Sequence, residues 1–443
     1  MSAAAVAFER TRRRAPRDLR YTELSAPALL EPFAREQALN ATRHAAALRP
    51  FKREEFGGGP QAPSEGHIQV VNNLVGSLRQ GLLSLTKRVG EAASNAVAES
   101  STPVLQQLVR RKEKAHTWVQ GIEKIWDFYF ELFGQRQGQY GMWLLSCDRI
   151  ALDCYQTAYL GVGTPKSIPA PPPFCYMRTG FSPATYRRGI PLRKLGKQLN
   201  PFPLIQLPYH RLVNPWTLGA ILHEVSHNLQ SDLGLNMAVP KRIARTVLRA
   251  GGSPRLASTW TRWNREAFAD MSGLMLGGPA IVGSLFDTIG RSPESVSQFI
   301  PGKPHPIPFL RALISCELLR RMGFEDDAKH FQKLWLRIYR RPQPGNIPAE
   351  MLKTFPEMHR AIIQAICYEP FEELGGKSLA ETMRFGAKEQ VMIEEAARRL
   401  AAGNDPGIIP ERFLIGAARA ALDRRLARPG VISENFYREL SRR

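Results

Sequence analysis

With 443 residues, 43% apolar and 23% charged, the chain can bury a substantial core and has the composition of an ordinary soluble globular protein. No run reaches the ~18 apolar residues of a spanning helix, which excludes a transmembrane segment and leaves only peripheral membrane contact. The formal charge of +21 is concentrated: between Arg178 and Arg255 twelve Lys/Arg face only two acids, Glu224 and Asp232. A field of that sign attracts acidic substrates, nucleic acid or anionic membranes, or else is a solvated arginine-rich surface.

Residues 1–55 read as a basic N-terminal segment with helical pieces such as 36–48. The opening MSAAAVAFERTRRRAPRDLR is a poor secretory signal, because its arginines follow the short apolar stretch rather than precede it. Glycine and proline in 56–66 predict a flexible linker. A helical region is expected over 67–135. There Val71, Val75, Leu78, Leu82, Leu85 and Val89 recur at helical spacing, with Arg79, Lys87 and Arg88 off the stripe. Packing against the rest of the chain is the simplest use of that stripe; a partner-docking or membrane-surface helix over 70–90 is the sharper alternative. The aromatics Trp118, Trp126, Phe128, Tyr129 and Phe130 of the next helical run, 104–133, read as core.

Cys147, Cys154, Cys175, Cys316 and Cys367 are scattered, odd in number and form no CxxC. That pattern argues against a disulfide framework and for reduced thiols in a cytoplasmic protein, with Cys147 and Cys154 sharing a helix face. Residues 161–209 are rich in Pro and Gly and predict loops with short strands, the last near 204–207. Beyond Asn214 the pattern is helical to the C-terminus, with apolar rows such as Met392, Ala396 and Leu400. The expected fold is α+β and α-dominant, a core over 136–325 carrying a small sheet and a helical C-terminal region over 326–443.

Asn214-Pro215 predicts a helix start with Asn as N-cap, and Gly234 a stop. On that helix lies His223-Glu224-Val225-Ser226-His227. Histidines four apart project from one face, so both imidazoles can reach one Zn²⁺ at ~2.0–2.1 Å. Glu224, turned about 100° from His223, can face a water activated by the metal without ligating it, and act as general base. A metzincin third ligand is excluded, because Gln230 and Leu233 occupy its positions. Asp232, five residues past His227, points about 140° off the ligand face. Glu266 is the better third ligand, with Asp270 one turn later available to fix a ligand imidazole; the bland alternative is an acidic helix face.

HExxH followed by Glu266-Ala267-Phe268-Ala269-Asp270, and then by His305-Pro306 with Arg311 five residues on, resembles the gluzincin class of zinc metallopeptidases. Within that class it is similar to the CAAX-prenyl-protease and HtpX-like family in its soluble form. The resemblance covers the motifs within residues 214–322 and implies a zincin-like metallopeptidase fold cutting peptide bonds. It implies that His305 contacts substrate or stabilises the developing oxyanion, and that Arg311 supports the site. Gluzincins also pair extended substrate with an edge strand before the motif helix, for which 204–209 is the candidate. Tyr209 at its end is a possible substrate-binding residue. The expected cofactor is Zn²⁺ and the expected substrate a protein or peptide, including one with acidic segments. Two other classes stay open: a catalytically silent zincin-fold binding or scaffold protein, and a nucleic-acid-binding protein. The latter rests on charge alone, since no zinc-finger, RNP-like or helix-turn-helix signature is present.

Overall fold

The computed structural model describes residues 26–163, 167–192, 196–339 and 347–443. In chain order the elements begin with α1 (Ala26–Ala47), α2 (Glu65–Ala98), α3 (Thr102–Gly134) and α4 (Gly141–Val162). The strands β1 (Phe174–Met177), β2 (Ala184–Tyr186) and β3 (Leu204–Leu207) follow, then the short helix α5 (Tyr209–Leu212). Next come α6 (Gly219–Asp232), α7 (Ala238–Arg249), α8 (Pro254–Arg262), α9 (Asn264–Gly277) and α10 (Pro279–Ile289). The remaining helices are α11 (Pro293–Ser297), α12 (Pro308–Arg321), α13 (Glu325–Ile338), α14 (Ala349–Ile363), α15 (Leu379–Thr382), α16 (Ala387–Ala401), α17 (Phe413–Asp423) and α18 (Pro429–Arg442). The protein is therefore α-dominant with one small sheet, an α+β chain. Among the described residues no helix is long and apolar enough to cross a membrane.

The described residues form two compact units, one within 26–50 and 75–123, the other within 51–74 and 124–443. Of the three boundaries, one follows α1 and the other two fall inside α2 and α3. In the smaller unit α1, α2 and α3 meet along a seam of small residues, Ala34, Ala41, Ala92, Ala93, Ala96 and Ala115, closed by Leu85, Val89 and Leu108. Small side chains let helix backbones approach closely along this seam. Of the six apolar positions along α2, all but Leu78 are buried, so this row is used in packing. Trp118, expected as core, is 39% exposed.

The larger unit holds the site. Its 56–66 stretch, expected as a flexible linker, is instead folded down: Phe56 is buried, edge-on to Phe51, Phe130 and Phe133. Local Gly and Pro content set the expectation, and aromatic anchors on either side override it. The sheet order is β1-β3-β2. β1 runs parallel to β3, with Phe174 opposite Leu204, and β2 antiparallel, with Thr185 opposite Ile205. The strand expected at the edge, 204–207, is thus the central one. Its apolar run fits a strand flanked on both sides, whereas β1 and β2 are the edges. Cys147 and Cys154 share α4 as expected, and all five cysteines are free and buried. A buried Arg412–Asp153 pair, at 2.8 Å, ties the start of α17 to α4 across the core.

Candidate metal centre

The motif helix begins later than the sequence suggests. Asn214 opens a 3-10 turn, Pro215–Thr217, without a side-chain cap. Its amide is engaged elsewhere, donating to the His210 carbonyl at 3.2 Å. The α-helix starts at Gly219, where a Cβ would lie 2.5 Å from Ser284 Oγ, so only glycine lets α6 pass α10 there. At the other end the chain leaves α6 through Gly234, with φ +83°, a left-handed position that glycine takes without strain.

α9 crosses α6 closely enough to bring carboxylates to the histidines. Gly273 is the reason: a Cβ built on it would already sit 3.4 Å from the His223 amide nitrogen. At Gly277, one turn on, a Cβ would lie 2.7 Å from the side chains of Leu222 and Ile281, too close for any larger residue without a shift. The same face of α9 carries Glu266 and Asp270 at the i and i+4 positions. Helix period and small-residue spacing together place the two acids over His223 and His227.

The donor atoms converge. His223 Nε2 lies 3.1 Å from His227 Nε2. Glu266 stands 3.4 Å from His223 Nε2 through Oε2, and 3.5 Å from His227 Nε2 through Oε1. A tetrahedral ion with bonds of ~2.0–2.1 Å separates its ligand atoms by about 3.3–3.4 Å. The nearest donor contacts are thus close to that edge length, with Glu266 meeting the two imidazoles through different oxygens. Two imidazoles and a carboxylate also suit zinc chemically. Among the described residues they form the one group of three or more potential ligands in this arrangement.

A supporting chain stands behind them. His223 Nδ1 donates to Asp270 Oδ1 at 2.9 Å, which leaves Nε2 directed at the donor cluster. Arg311, at the start of α12, donates to both Asp270 oxygens, at 2.7 and 2.8 Å, and approaches Glu266 at 3.6 Å. Arg311 therefore reaches His223 through Asp270, while its own guanidinium also borders Glu266. His305, in the loop before α12, is 61% exposed and sits 3.5 Å from Glu266 Oε1.

Electrostatics follow from burial and these bonds. Burial opposes charge on His223, but hydrogen bonds to Asp270 and Glu266 outweigh it and raise the imidazole to about 10. His227 is driven the other way, to about 3, by burial and by the charge on His223. Burial lifts the Glu224 carboxyl to about 7, although His223 and Arg311 pull it down. Glu266 and Asp270 are held below the ordinary carboxylate range in spite of burial: Glu266 chiefly by its bond to His223, Asp270 chiefly by the Arg311 charge.

Glu224, His223, His227, Glu266, Asp270, His305 and Arg311 all line one cavity of about 420 Å³. Tyr209 does not line it; it is half-exposed and packs edge-on against Tyr140 at 5.4 Å. β3 ends before it and α5 turns it away, so it is not placed as a substrate contact. The strand that does line the cavity is β2, through Ala184 and Thr185. β2 is bound to the motif helix by Asn228 Nδ2, which donates to Thr185 Oγ1 at 2.8 Å. No sequence signal links Asn228 to Thr185, because they lie 43 residues apart. Arg187 and Arg265 also line the cavity and were not read from the sequence as site residues.

Compared with family models, with curated proteins and with solved structures, the chain matches none.

Proposed function

We propose that the chain is a zinc-dependent metallopeptidase with a zincin-like core, of the gluzincin type its motifs resemble. The observation that carries this reading is the His223, His227 and Glu266 donor set, spaced at 3.1–3.5 Å beside a buried carboxylate in an open cavity. Zinc, when bound, supplies a Lewis acid that polarises the scissile carbonyl and lowers the pKa of water.

The remaining chemistry belongs to the chain. Glu224 takes the proton of the attacking water and returns it to the leaving amine; its carboxyl, lifted to about 7, is matched to transfer in both directions near neutral pH. His305, exposed on the cavity wall, is the donor able to reach an oxygen of substrate as charge develops on it. Asp270 and Arg311 position His223. The free edge of β2 offers backbone groups for an extended peptide lying along the cavity.

The test is hydrolysis of a peptide library by the zinc-loaded chain beside Glu224→Gln. The wild type is expected to cut, and Glu224→Gln to retain metal while losing at least about a hundredfold in rate, the ordinary worth of a general base. Equal cleavage by the two would overturn Glu224's role, and no cleavage by the wild type would overturn the peptidase reading.

A further inference from the structure

The cavity wall is chemically uneven. Part of it is apolar, formed by Leu274, Ile281, Val282 and Leu285. Beside the donor cluster it also carries two guanidinium groups. Arg187 follows β2 directly, and Arg265 is the residue before Glu266 at the start of α9.

Arg187 is half-buried and Arg265 exposed on the cavity wall, and they differ in pairing from three more deeply buried arginines of this unit. Arg136 is paired with Asp148, Arg311 with Asp270, and Arg412 with Asp153, each at 2.7–2.8 Å. Among the described residues neither Arg187 nor Arg265 has a carboxylate within ion-pair distance. Arg187 makes one long hydrogen bond, 3.4 Å to Asn236 Oδ1. Burial and then the Arg265 charge lower its pKa, and Asp232 opposes this from beyond ion-pair range. The Asp232 carboxylate is already engaged, accepting from Tyr155 at 2.7 Å. Glu266 and Asp270 are taken up by the histidines and Arg311. Two cations on the wall of one concave cavity set up a positive field that favours an anion there. Guanidinium groups fit a carboxylate by paired, charge-assisted bonds better than any other side chain does.

We propose that Arg187 and Arg265 form a carboxylate-binding subsite of the catalytic cavity, anchoring a peptide by an acidic side chain or by its C-terminal carboxylate near the bond to be cut. This rests on the peptidase reading of the same cavity and adds its substrate class. An Asp or Glu side chain would make the protein an endopeptidase selective for acidic segments. A terminal carboxylate would make it an exopeptidase.

The test measures binding, so that it does not depend on turnover. Zinc-loaded Glu224→Gln is titrated at low salt with three fluorescent peptide pools. One carries a single Glu and an amidated C-terminus; one is neutral with a free C-terminal carboxylate; one is neutral and amidated. The first or the second pool is expected to bind at least about tenfold more tightly than the third, and which one does identifies the carboxylate's source. The advantage should fall with added salt and vanish in a background of Arg187→Gln with Arg265→Gln. Arg187→Glu with Arg265→Glu should transfer it to a pool carrying Lys, a gain that a merely misfolded variant would not show. Equal binding of all three pools, or an advantage that survives loss of both arginines, overturns the proposal. Glu224-dependent hydrolysis with no preference for a carboxylate would overturn this subsite and leave the peptidase reading standing. Arginine-dependent carboxylate binding in a protein that holds no zinc and cuts nothing would do the reverse.

Discussion

Replacing Asp270 with Asn tests the supporting chain behind the donor cluster. The change keeps the shape but removes the charge that orients His223, at 2.9 Å, and that pairs with Arg311, at 2.7 Å. Loss of a carboxylate behind a ligating imidazole weakens metal binding by roughly 10–100-fold, or about 1.4–2.8 kcal/mol. A second cost falls on the fold. Arg311 is only 11% exposed and would keep Glu266 alone, at 3.6 Å. Stripping one partner from a buried ion pair costs about 3–5 kcal/mol. Zinc affinity by competition with a chromophoric chelator measures the first effect, and urea unfolding with and without zinc measures the second. Zinc should protect the variant less than the wild type, by about 1.4 kcal/mol for each tenfold loss of affinity. A folded Asp270→Asn protein whose zinc affinity changes by less than about threefold would refute the assignment of Asp270 to His223.

The close crossing of α6 and α9 gives a second prediction. Gly273→Ala meets only ordinary contacts, 3.4–3.6 Å from the backbone of Leu222 and His223, and should be neutral or stabilising by up to ~1 kcal/mol through helix propensity. Gly273→Leu should destabilise by about 1–3 kcal/mol and lower zinc affinity by parting the helices; full zinc binding by a folded Leu variant would refute the crossing. His67 gives a pH dependence. Buried between the Phe174 and Phe202 rings, its imidazole is held at about 4 against an ordinary 6.5. The unfolded chain therefore binds the extra proton: stability is complete above the unfolded value and is lost as pH falls toward about 4. The loss is up to ~3 kcal/mol at ~1.4 kcal/mol per unit. Urea unfolding between about pH 4.5 and 7.5 should show this slope in the wild type and a shallower one in His67→Gln; equal slopes would refute it.

The elements read well from sequence were those whose signal is local. α6 announced itself through its apolar period, its paired histidines and the glycine that ends it; β3 did so as a short apolar run. Glu266 and Asp270 were readable because a shared helix face needs only a spacing of four. What escaped was non-local. β3 lies in the middle of the sheet because β1, thirty residues earlier, pairs along it, and register across that distance leaves no mark on β3 itself. For the same reason the cavity's edge strand is β2, and Tyr209 fell outside the site. The 56–66 stretch looked like a linker until Phe56 found Phe51 and Phe133. Asn214 looked like a cap, but its amide was already donated to His210. Arg187 was visible only as one charge among many in a basic stretch. Its place on the same cavity wall as Arg265 depends on β2 packing against the motif helix through Thr185 and Asn228.

The most direct measurement is the zinc content of the purified protein beside His227→Ala and Glu266→Ala. The wild type should hold about one zinc per chain, and each variant, folded by circular dichroism, should hold far less. Zinc content unchanged in both variants, or a wild type that takes up none, would contradict the metal centre on which the proposed activity rests.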